Sequence, residues 1–241
     1  MYHESLSAPA TTTKSTSLWL ATLASIVFIN LPGFITALLG PILLPTLPVG
    51  AQHILNVGVF LLCPLAVFGL LAHHQSIRLA QCANWLGLAQ RPTRQSLAIA
   101  ATTGLAITVI GGVLASLLGQ QTEQTGLNLM TSHSTVLGMI SLFIMTVIAS
   151  PWLEEMVFRG WLWRHASLTR LGPFGAALMT SIIFTVLHIT LGVQSVSLLS
   201  IFSLAMIAAW LRHHFVSLWP ALALHGTFNA CQLLGLLWLT T

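Results

Sequence analysis

The sequence contains no aspartate and only four glutamates, and charged residues make up 5% of its 241 positions. A soluble domain carries about a quarter charged residues, so this chain cannot cover itself with a water-facing surface. There is a single lysine, Lys14, and the arginines are scattered singly, which excludes the basic stripe of a nucleic-acid binder. Cys63, Cys82 and Cys231 stand far apart with no CxxC among them. That spacing indicates neither a disulfide framework nor a thiolate metal site. Also missing is the alternation of apolar and polar residues that a membrane-spanning strand requires.

What is abundant is apolar sequence, 56% of the chain. It falls into stretches of about 20 residues, each long enough to cross a bilayer core of roughly 30 Å as a helix. The fold class predicted is therefore all-α, a polytopic membrane helical bundle. Seven spans fit, at about 18–40, 51–72, 96–119, 135–163, 174–193, 195–212 and 216–238. The first is interrupted by Asn30, Pro32 and Gly33. A polar tail, 1–17, precedes one membrane domain, 18–241, and no internal repeat divides it.

Lys14, then Arg78, Arg91 and Arg94, then Arg164 and Arg170, then Arg212 all fall on one side of this seven-span arrangement. The opposite loops, 41–50, 120–134 and 190–195, hold Glu123 as their only charge. By the positive-inside rule the N-terminus lies in the cytoplasm and the C-terminus outside. Residues 73–94 are too polar to span, yet Leu79, Cys82, Ala83 and Leu86 share a helical face, which predicts an interfacial helix or structured loop. Gly111, Ala115 and Gly119 recur every four residues, a pattern that lets a neighbouring helix approach closely. Trp19, Trp161, Trp163, Trp219 and Trp238 lie near span ends and read as interface anchors.

Two of the four acids are adjacent, in the stretch PWLEEMVFRG of the fourth span. An ionisable group at the middle of a membrane helix costs about 2.5–3.5 kcal/mol, so it tends to be paired, to face the interior and to serve a function. Glu155 and Arg159 have the i,i+4 spacing and polarity of a helical ion pair. Glu154, turned about 100° away, points elsewhere. It is the acid left for chemistry. His188 lies four residues after Phe184 on the fifth span, and Asn229 four after His225 on the seventh, so each pair shares a helix face. Counting about 1.5 Å per residue from the inner ends puts Glu155 and His225 at similar depth and His188 several ångströms higher. Pro151 is expected to kink the fourth span and widen a cavity there. The remaining histidines sit at span ends or in loops, with His53 ambiguous.

EEMVFR at 154–159, FTVLH at 184–188 and HGTFN at 225–229 together resemble the EExxxR, FxxxH and HxxxN motifs of the CPBP family of intramembrane proteases. That family includes type II CAAX prenyl endopeptidases and bacteriocin-processing or self-immunity proteins. The resemblance covers roughly 135–238, with each motif on its own apolar span. It implies an intramembrane peptidase in which Glu154 and His188 activate a water, His225 and Asn229 donate to the oxyanion, and Glu155 with Arg159 holds the helix. The partners it implies are a peptide or protein substrate, membrane-bound and in some members lipidated, and the lipids themselves. No cofactor is expected.

Three rivals stand beside this reading. Glu154, His188 and His225 offer three ligands for zinc with one open position, although the chain has no HExxH. Buried Glu and His also build proton relays and transporters, which usually show paired halves that are missing here. A non-catalytic immunity or interaction protein could keep the same residues.

Overall fold

The computed structural model describes residues 17–119, 135–189 and 195–240, and within them the chain is helical with no strand. In order come α1 Leu18–Leu43, α2 Val49–His74, α3 Leu79–Leu86, α4 Arg94–Leu117, α5 Val136–Ser167, α6 Gly172–Ile189, α7 Ser195–Phe215 and α8 Trp219–Thr240. This is the all-α bundle that the composition predicts. Most of the polar tail, Glu123, His133 and the loops around 120–134 and 190–194 lie outside the described residues.

Among the described residues, six helices are long and apolar enough to cross a membrane: α1, α2, α4, α5, α6 and α7. At 22 residues α8 matches the seventh expected span in length. Its apolar run also carries His225, Asn229 and Gln232. The interruption expected in α1 does not break it. Asn30 Nδ2 donates to Ile26 O at 2.8 Å and Thr36 Oγ1 to Pro32 O at 3.0 Å, so polar side chains serve backbone carbonyls within the helix.

One close approach sets where α8 lies against α4. A Cβ on Gly104 of α4 would stand 2.6 Å from Leu224 O and 3.2 Å from Phe228 N, so the two backbones run against each other there. Gly111 of the small-residue pattern instead meets the side chain of Ser200 of α7, and Gly119 faces open space and ends its helix at φ +63°. The backbone-to-backbone contact, at Gly104, falls outside that pattern.

Residues 79–86 do form a helix, but its buried face is Cys82, Trp85 and Leu86, while Leu79 is 59% exposed. The short helix packs under the bundle, and burial pushes the Cys82 thiol up to about 11. It ends at Gly87, φ +84°, whose carbonyl accepts from Leu218 N at 2.9 Å. Trp219 Nε1 donates to Leu88 O at 2.8 Å and Ser217 Oγ to Gln90 O at 2.9 Å. The α3–α4 and α7–α8 connections are thus stitched together at one end. Trp161 and Trp163 must be reassigned. At 2% and 4% exposed they belong to the core, Trp161 against Phe28 and Trp163 donating from Nε1 to Pro173 O at 3.2 Å. Helices α1, α3 and α6 cover the end of α5, which periodicity within α5 cannot reveal. Trp19 and Trp238 are exposed, as anchors should be.

Candidate active site

Helix α5 is continuous but irregular: π-helical turns at Ile144–Ala149 and Met156–Leu162 flank the segment Ser150–Glu155. Such wider turns recur at functional sites. Pro151 accounts for part of this, since it has no N–H and therefore leaves carbonyls in the preceding turn without a helical donor. Helix α8 occupies the space beside them. Asn229 Nδ2 donates to Thr146 O at 2.8 Å, and a Cβ on Gly226 would come within 3.2 Å of Val147 O. The HGTFN helix docks on the π-helical turn that precedes Pro151.

The two glutamates face different surroundings. Glu155 is fully buried, and its Oε1 receives Arg159 Nη1 at 3.1 Å and His225 Nδ1 at 2.9 Å. Arg159, also fully buried, presents its guanidinium to the Phe184 ring, Cζ lying 4.5 Å from the centroid. A cation over an aromatic face is attracted by the ring quadrupole. Phe184 in turn packs edge-on against Phe158, at 5.2 Å and 90°. The aromatic residue of FxxxH therefore closes over the arginine of EExxxR.

Glu154 lines a cavity instead, its side chain 12% exposed. Ser150 Oγ, one turn earlier, donates to Glu154 Oε1. The other oxygen, Oε2, lies 3.7 Å from His225 Nε2. His225 is thus set between both carboxylates, one at each ring nitrogen. His188 Nδ1 lies 2.7 Å from Phe184 O. A proton on Nδ1 makes that contact a hydrogen bond and leaves Nε2 as the acceptor.

The cavity, about 520 Å³, is lined by Glu154, His188, His225 and Asn229 together with Ser150 and Thr146 of α5. The difference in depth counted along the sequence does not keep His188 away from it. Apolar walls come from Leu142, Met145, Ile201, Leu204 and Phe228, and Thr36, Asn56 and Phe60 enter from α1 and α2. Glu155 and Arg159 are not part of the lining and sit behind Glu154 and His225. Sequence reasoning missed Ser150, Thr146, Thr36 and Asn56. The available signal was polarity within apolar spans, and for Ser150 its place four residues before Glu154. His53 is buried, 7% exposed, away from the lining. Among the described residues no three His, Cys, Asp or Glu side chains converge as a metal-ligating group, Glu154, His188 and His225 included.

Residues 135–231 match the family model described as Type II CAAX prenyl endopeptidase Rce1-like. No curated protein and no solved structure gave a match. The matched segment runs from the start of α5 into α8 and contains all seven motif residues, Glu154, Glu155, Arg159, Phe184, His188, His225 and Asn229. It is similar to the Rce1-like type II CAAX prenyl endopeptidases, which is the CPBP intramembrane protease resemblance that the three motifs carry.

Proposed function

We propose that the cavity is the active site of an intramembrane endopeptidase in which Glu154 and His188 activate a water for attack on a peptide carbonyl. The observation that carries this reading is the convergence of Glu154, His188, His225 and Asn229, from three helices, on one cavity inside an apolar bundle. Ser150 donates to Oε1 of Glu154, and Oε2, enclosed and without a hydrogen-bond donor among the described residues, is the oxygen left to take the proton. With its Nδ1 proton directed to Phe184 O, the His188 ring holds Nε2 as a second acceptor at the same cavity.

His225 and Asn229 each retain a donor for the substrate. Asn229 directs one N–H to Thr146 O and has a second. An imidazolium at 225 donates from Nδ1 to Glu155 and still has the Nε2 proton. Directed at the developing oxyanion, such donors are worth about 3–4 kcal/mol each. Glu155 and Arg159 act by holding His225 and the α5 backbone. The substrate is a peptide or protein segment that reaches the site within the membrane.

The test is peptide cleavage by the purified full-length protein against Glu154→Gln, with products read by mass spectrometry. Cleavage by wild type, and almost none by a variant of equal thermal stability, is expected. Equal turnover in both would overturn the assignment of Glu154.

A further inference from the structure

Two arginines at the end of the bundle away from the cavity, one buried and one half-buried, have no carboxylate partner among the described residues. Arg212 of α7 is 4% exposed, and its Nε is enclosed with no hydrogen-bond acceptor among the described residues. Arg164, near the end of α5, is half-buried, and its Nε is enclosed in the same way. Arg164 lies within electrostatic range of Arg212 and adds to the cost of charge there. Among the described residues the only carboxylates are Glu154 and Glu155, and both are engaged at the cavity site. The local structure is shaped around these guanidinium groups. Arg212 Cζ lies where a Cβ on Gly87 would come within 2.6 Å, and the Arg164 and Arg212 guanidinium carbons stand 5.4 Å and 5.8 Å from the rings of Trp85 and Trp163. Tryptophan faces soften the burial of a cation but supply no negative charge. A buried charge requires a partner, and two of like sign require one more strongly.

We infer that Arg164 and Arg212 form a phosphate-binding site that takes the headgroup of an anionic phospholipid. Guanidinium forks match phosphate oxygens in pairs, and basic pockets between membrane helices are where lipid headgroups dock. The position suits that ligand: Arg164 and Arg212 lie in the last turns of their helices, at the end where the α3–α4 and α7–α8 connections meet.

The full-length protein in lipid-free detergent would be titrated separately with dihexanoyl phosphatidylglycerol, dihexanoyl phosphatidylcholine and inorganic phosphate, following the thermal midpoint. Phosphatidylglycerol should raise the midpoint saturably and phosphatidylcholine should not. Arg212→Gln and Arg164→Gln should each weaken the apparent affinity roughly fivefold. The second variant covers the case in which Arg212→Gln, packed against Gly87, fails to fold. Glu154→Gln should bind lipid like wild type, so this site and the peptidase reading fail separately. Equal effects of the two lipids, or unchanged affinity in Arg164→Gln, would overturn the proposal. Inorganic phosphate acting as strongly as phosphatidylglycerol would keep the phosphate site and remove the lipid as its source. Glu4→Gln tests whether the chain supplies its own anion. A fall in the lipid-free midpoint as large as that of Arg212→Gln would sink the proposal.

Discussion

His225 Nδ1 lies 2.9 Å from Glu155 Oε1, joining side chains 70 positions apart and tying α8 to α5 at a fully buried point. The same oxygen accepts from Arg159, so Glu155 serves two helices at once. The pair that looks local in EExxxR is one side of a three-residue network. A change at Glu155 must therefore be felt at His225, on the wall of the cavity.

Glu155→Gln should act first on stability. It leaves the Arg159 guanidinium buried without a counter-charge, and breaking a buried pair from one side costs about 3–5 kcal/mol. Arg159→Met should also lower it, because Glu155 then keeps His225 as its one remaining partner among the described residues. The double variant should melt above either single one, since both charges are gone. It should stay slow in cleavage, because His225 faces an amide in place of a carboxylate. Thermal midpoints and cleavage rates in detergent check all three. A double variant no more stable than the singles would contradict the network.

Gly104→Ala should lower both stability and turnover. Its Cβ would meet two backbone atoms of α8, Leu224 O at 2.6 Å and Phe228 N at 3.2 Å, and backbone cannot rotate away. Overpacking of this kind costs about 1–3 kcal/mol. The displaced turn carries His225, so cleavage should fall in step. Gly112→Ala, with nothing within 4 Å, is the matched control and should be neutral or slightly stabilising. Equal midpoints for the two variants would refute the close approach.

Reporter fusions test the sidedness. With the N-terminus in the cytoplasm and seven crossings, fusions after Pro45, Asn128 and Thr241 should all report the outer side. A cytoplasmic signal at Asn128 would sink that arrangement.

Direct activation of water by Glu154 and His188 predicts that chelators leave cleavage intact. Elemental analysis of the active protein should find well under one equivalent of zinc. Stoichiometric zinc whose removal abolishes activity would replace this mechanism with the metal-dependent one.

Much was decided by the sequence alone, because the controlling physics is local. A chain with so few charges must enter lipid, lipid demands helices, and helix geometry puts Glu154 and Glu155 on different faces and Phe184 and His188 on one. Those inferences need only neighbours within two turns. Residues that meet from different helices followed no such rule. Nothing in α5 by itself shows that α1, α3 and α6 bury Trp161 and Trp163, or that the buried face of α3 includes Trp85 and excludes Leu79. Nor could spacing show that Thr36 and Asn56, from helices without a motif, reach the cavity. The tertiary structure decided these, because in a bundle the approach of two backbones, as at Gly104 and Leu224, selects which faces meet. The position of His225 between two carboxylates follows from that approach, since α8 docks on α5 only where Gly226 and Asn229 fit the turn that precedes Pro151.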